Sequence, residues 1–145
     1  MRITPALLVL SVAACSGSTS TGSLPPGATL TGRWTYSIGT LTSVGGAVTC
    51  AVSGIILNLT QEGSSLTGSY SGGTINCGSL LPSGSGSVTN GTVTGSAVAF
   101  NFDSPNWHST GQATSATNMT GNATVQLTVS GNSYVLSGTW LASHQ

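Results

Sequence analysis

The sequence predicts an all-β protein, an antiparallel up-and-down meander closing into a small barrel of about eight to nine strands. Three observations predict it. First, only 3% of the 145 residues are charged while 38% are hydrophobic. The polar character therefore comes from Ser, Thr, Asn and Gly. Thr and Val favour strands, and Gly and Asn favour turns. Second, apolar residues recur at every second position along most of the chain, the period of a half-buried strand. Third, no segment after the N-terminal apolar run carries a helical signal. Disorder requires low hydrophobicity with high net charge, and this chain is formally neutral. A sheet of many short strands with one apolar face has to close or fold over, and closure removes its sticky edges.

The elements follow in order. Leu30 to Ile38 is the first strand, with Leu30, Gly32, Trp34, Tyr36 and Ile38 on one face and Thr31, Arg33, Thr35 and Ser37 on the other. A longer connection runs from Gly39 to Thr49, broken by Gly45-Gly46. Val52 to Gln61 is the second strand; Ile55, Leu57 and Leu59 share its inner face, and Ile56 is an outward exception. Glu62-Gly63-Ser64 turns the chain, and Leu66, Gly68 and Tyr70 resume the inner face, which makes the clearest hairpin. Gly72-Gly73 predicts another turn, with a short fourth strand at Ile75 and Cys77.

Leu80 to Gly86 reads as a Pro/Ser/Gly loop. Val88 and Val93 are oddly spaced around Asn90-Gly91, which fits either a bulge within a fifth strand or a two-residue turn. After Gly95-Ser96, Val98, Phe100 and Phe102 point inward; Ser104-Pro105-Asn106 turns; Trp107, Ser109, Gly111 and Ala113 form a weaker strand. Met119 to Val129 alternates cleanly, Ser130 to Asn132 turns, and the last strand carries Tyr134, Leu136, Gly138, Trp140 and Ala142 inward. An apolar-Ser/Thr-Gly theme recurs as LTGRW, VSGII, LTGSY, VTGSA, MTGNA and LSGTW. Its irregular spacing argues against a solenoid. Glycine within a strand permits the bending a small barrel needs. Closure should set the first and last strands side by side, with Trp34 near Trp140.

Val12-Ala13-Ala14-Cys15 ends the apolar run Ala6 to Val12. Small residues before a lone cysteine, with a Ser/Thr/Gly stretch after it, resemble a bacterial lipoprotein signal peptide with its lipobox. The run is too short for the roughly 20 apolar residues that span a bilayer, and it suits a signal h-region. The resemblance implies cleavage before Cys15, lipid on Cys15, and attachment to the membrane through that lipid. An ordinary secretory peptide with an incidental cysteine is the competing reading. The implied organisation is a signal peptide over 1–14, a lipidated Cys15 with a flexible linker over 15–29, and a β-barrel domain over 30–145. By the same resemblance Ser16, where an Asp would retain a lipoprotein in the inner membrane, favours the outer membrane of the bacterial envelope. Bacterial processing also predicts no glycan at the Asn-X-Ser/Thr triplets of Asn58, Asn90, Asn118 and Asn122. Cys50 and Cys77 then remain as an even pair in an exported chain, which predicts a disulfide; two unpaired thiols are the alternative.

GRWTYS, LNLTQEGSSLTGSYSGG, GTVTGSAVAFNF, MTGNATV and LSGTWLASHQ resemble a group of small bacterial exported or lipid-anchored β-meander proteins, expected to be lipocalin-like barrels. LTGRWTYSIG and LTGSYSGG are also similar in outline to avidin-type barrels. Beyond Trp107, however, the later tryptophan-bearing strands of that family have no clear counterpart here.

Other chemistry is sparse. Without residues 1–14 the strongly charged side chains are Arg33, Glu62 and Asp103, and one arginine makes no nucleic-acid groove. Asp103 and His108 flank a turn and lack a nearby third ligand for a metal site. His144 lies close to the C-terminus. Glu62 has no partner carboxylate of the glycosidase kind. No G-x-S-x-G elbow, phosphate loop or dinucleotide fingerprint occurs. The expectation is a non-enzymatic binding or structural module with no cofactor. The alternative is a carrier of a small apolar ligand in a cavity lined by Trp34, Tyr36, Tyr70, Phe100, Phe102, Tyr134 and Trp140. A filled core uses the same residues.

Overall fold

A computed structural model of the chain describes residues 24–25, 28–77, 84–103 and 106–145. The signal-peptide reading, Cys15, most of the linker, most of the Leu80 to Gly86 loop and Ser104-Pro105 lie outside the described residues. Among the described residues, nine strands form one antiparallel sheet: β1 (Gly32–Ser43), β2 (Thr49–Glu62), β3 (Ser65–Ser71), β4 (Thr74–Asn76), β5 (Gly86–Thr94), β6 (Ala97–Phe102), β7 (Trp107–Ser115), β8 (Asn118–Val129) and β9 (Asn132–His144). A 3-10 turn, Val44–Gly46, joins β1 to β2. The order is β1-β9-β8-β7-β6-β5-β3-β2, and β2 pairs back onto β1. The sheet is thus a closed up-and-down barrel of eight staves, the architecture of lipocalin-like and avidin-like barrels.

The ninth strand adds no stave. β3 pairs with β2 through Ile56↔Ser71, and β4 pairs with β2 in the same register through Ser53↔Thr74. β4 therefore prolongs β3. The turn expected at Gly72-Gly73 is instead a break within one stave. Both glycines have positive φ, 67° and 83°, and Gly54 on the facing stretch of β2 has φ 69°. These angles cost L-residues with side chains 1–2 kcal/mol or so and cost glycine little. The chain kinks there without reversing.

Bulges explain where the elements outrun the sequence pattern. β1 continues past Ile38 because two exposed residues, Gly39 and Thr40, switch its phase, after which Leu41 and Ser43 are buried. β2 switches at Ser53-Gly54, so Cys50 and Val52 join Ile55, Leu57 and Leu59 inside. The Gly54 N–H is met by Ser37 Oγ at 3.1 Å. β5 runs unbroken through Asn90, which takes φ 50°, and its register shifts on both sides. That settles the two alternatives for Asn90-Gly91 in favour of the bulge.

The recurrent glycines do several jobs. In LTGSY, MTGNA and LSGTW the glycine sits mid-strand where neighbouring backbone comes close. A Cβ at Gly121 would press into the Thr110 carbonyl, and one at Gly138 into the Thr40 carbonyl. Gly54 and Gly95 instead occupy positive-φ positions. The seam between β1 and β9 forms as expected, but its register pairs Trp34 with His144 and Ile38 with Trp140. The two tryptophans are staggered along the seam. Trp34 meets the His144 ring edge-on at 4.9 Å, while Trp140 stacks on Tyr36.

The two ends of the barrel differ. At one end the staves are joined by the tight turns Gly63-Ser64, Gly95-Ser96 and Ala116-Thr117, and β1 begins and β9 ends there. Leu30, fully buried, closes this end; its N–H donates to Gln61 Oε1 and its carbonyl accepts the Trp34 indole N–H, both at 2.9 Å. At the other end lie the 44–48 connection, the ends of β4 and β6, the starts of β5 and β7, and the short turn at 130–131.

Candidate functional site

Alternation on β1, β6, β7 and β9 sends their aromatic side chains to one interior. Tyr36 is the hub. Its ring stacks on Trp140 at 5.4 Å and meets Phe100, Phe102 and Trp107 edge-on at 6.2, 5.5 and 6.2 Å. Phe102 extends the cluster to Trp107 and Tyr70, each at 4.8 Å. Contacts of this kind add about 0.5–1.5 kcal/mol each to the area they bury. The Tyr36 hydroxyl and Ser109 Oγ lie 2.9 Å apart in a hydrogen bond. Burial pushes the Tyr36 phenol far above its ordinary range, and the bond to Ser109 offsets only part of that. Tyr36 therefore stays neutral, a fixed hydrogen-bonding group within an apolar cluster. The Trp107 indole N–H faces the Tyr36 hydroxyl without completing hydrogen-bond geometry.

Five of the seven aromatics singled out in the sequence are buried: Trp34, Tyr36, Phe100, Phe102 and Trp140. Tyr70 and Tyr134 are half-buried against the core. Tyr134 also lines a depression of about 200 Å³ with Gln126, Ser133 and Val135. Trp107 belongs to the interior cluster but was not among the seven, although its spacing with Ser109 and Ala113 carries the same signal. A groove of about 410 Å³ passes over the outward-facing Thr35, Ser37, Thr120 and Leu141. Another depression, of about 420 Å³, lies by Gly72, Gly73, Gly84 and Ser85. None of these three is lined by Tyr36, Phe100, Phe102, Trp107 or Trp140.

Cys50 and Cys77 are bonded, with Cα atoms 4.5 Å apart. That is the spacing of directly opposed residues in a non-hydrogen-bonded antiparallel pair. Cys77 follows β4, and Cys50 opposes it on β2, so the disulfide pins the far end of the kinked stave.

Asp103 and His108 have separate partners. His108 Nδ1 lies 2.7 Å from Asn101 Oδ1. Asp103 accepts the Ser87 N–H at 2.9 Å and the Tyr70 hydroxyl at 3.0 Å. The Ser87 bond first, then Tyr70, holds the Asp103 carboxyl below its ordinary value near 3.8. Burial and Asp103 push the Tyr70 phenol up. A carboxylate with a lowered folded pKa contributes stability above its unfolded pKa and loses it as pH falls through the folded value. Urea unfolding across an acid pH series should therefore show wild type losing stability below about pH 4. Asp103→Asn should be less stable at pH 7 and show a shallower acid loss. Parallel pH curves for the two proteins would count against this clasp.

No protein-family model matches the chain, and no curated protein or solved structure matches it.

Proposed function

We propose that the chain is a membrane-anchored bacterial lipoprotein whose β-barrel body serves as a binding or structural module of the cell envelope. The observation that carries this reading is Val12-Ala13-Ala14-Cys15, a small-residue cleavage site ending in a lone cysteine after a short apolar run. The Cys50–Cys77 disulfide supports export, because such bonds persist in oxidising compartments. Lipoprotein maturation attaches several acyl chains, and more than one chain gives stable anchoring. Ser16 favours the outer membrane. The tight interior packing around Tyr36 supports a module that works through its outer surface over a carrier that encloses a ligand.

The full chain, expressed in a bacterium with lipoprotein processing, should fractionate with membranes and incorporate radiolabelled palmitate. Cys15→Ser should abolish the label and move most of the protein to the soluble fraction. Unchanged membrane retention of the Cys15→Ser protein would overturn the anchor.

A further inference from the structure

We infer that the barrel is mounted end-on, with its tight-turn end toward the bilayer and the end carrying the longer connections and the disulfide displayed away from it. This rests on the lipid-anchor reading. The chain reaches the barrel at the tight-turn end: Leu30 is buried there and held by Gln61 and Trp34. Thr31 Oγ1 accepts the Gln61 N–H at 2.9 Å, which fixes the approach a second time. Leu24 is already packed against the core. The leash is therefore shorter than the linker composition implies. From Cys15 to Leu24 the backbone extends at most about 30 Å whatever its conformation.

The barrel sets the comparison. β1 spans 12 residues, and a strand of that length tilted as in small barrels rises roughly 30 Å along the axis. Turning the barrel over, so that the 44–48 connection met the bilayer, would need the leash at nearly full stretch. Short leash and long barrel together favour one end. The displayed end holds Val44, 95% exposed at its tip, and the Asp103–Tyr70 clasp.

Two single-cysteine variants of the full chain test this, Ser64→Cys at the tight-turn end and Val44→Cys at the other. Each is matured in cells, checked by intact mass, labelled with one donor dye under non-reducing conditions, and reconstituted in phosphatidylcholine vesicles carrying a headgroup acceptor dye. Lipid on Cys15 with several-fold stronger energy transfer from residue 64 than from residue 44 is the expected result. Lipid on Cys15 with equal transfer, or stronger transfer from residue 44, overturns the orientation and leaves the anchor standing. A mature mass without lipid overturns the anchor and the orientation with it.

Discussion

Replacing Trp140 by alanine should destabilise the protein by roughly 3–5 kcal/mol, the range for removing a large buried aromatic. Trp140 is fully buried, stacks on Tyr36 and meets Phe100 edge-on at 5.7 Å. Its indole N–H also reaches across the sheet to the carbonyls of Thr110 and Asn122, each at 3.2 Å. That reach depends on what stands beside it. Trp140 pairs with Gly121, and Gly121 pairs with Gly111. With no side chain at either glycine, the indole can approach the backbone of β7 and β8. One residue thus ties β9, β8 and β7 to the hub on β1. Trp140→Phe keeps most of the ring contact and loses the N–H, so it should cost less, with about 1 kcal/mol of its loss due to the hydrogen bond. Urea unfolding monitored by circular dichroism gives both values. A Trp140→Ala protein within about 1 kcal/mol of wild type would mean that the interior re-packs around the gap, contrary to a tightly filled barrel.

The same region shows how much of this was legible in the sequence. Strict alternation in Met119 to Val129 and Tyr134 to Ala142 was enough to give β8 and β9 and their inner faces, because those strands pair without register breaks. Alternation fails at a bulge, because one extra residue moves every later side chain to the other face. Leu41 was lost from the first strand for that reason, and Asn90-Gly91 stayed ambiguous. Gly72-Gly73 has the composition of a turn, and only the pairing of β4 with β2 reveals a kink within one stave. Likewise the sequence brings β1 beside β9 but carries no signal for their stagger, so Trp34 and Trp140 do not meet as expected. Alternation placed Tyr36, Phe100, Phe102 and Trp140 in the interior cluster, while Trp107, on a strand of weaker alternation, was left out of it. The cluster's centring on Tyr36 and Ser109 was not readable, because side chains that meet across a closed barrel are far apart in the chain.

Removing the disulfide with Cys50→Ala and Cys77→Ala together should cost roughly 3–4 kcal/mol. The bond closes a loop with a sequence separation of 27, and in the chain-entropy model a loop of that length restricts the unfolded chain by that amount. Alanine at both sites avoids a stray thiol and keeps small apolar groups where the buried sulfurs stood. The loss has a local side as well. β4 is a three-residue strand whose pairing with β2 covers Ala51, Val52 and Ser53. It is separated from β3 by two glycines in positive-φ conformations, so the disulfide, those pairings and the half-buried Ile75 hold it in line. The double variant should still close its eight staves, because β2 keeps its pairings with β1 and β3. Native-state hydrogen exchange should then show amides of β4 and the facing part of β2 losing protection far more than those of β8 and β9. If protection falls equally in β8 and β9 under native conditions, the bond steadies the barrel as a whole, and the kinked stave is not its weak point.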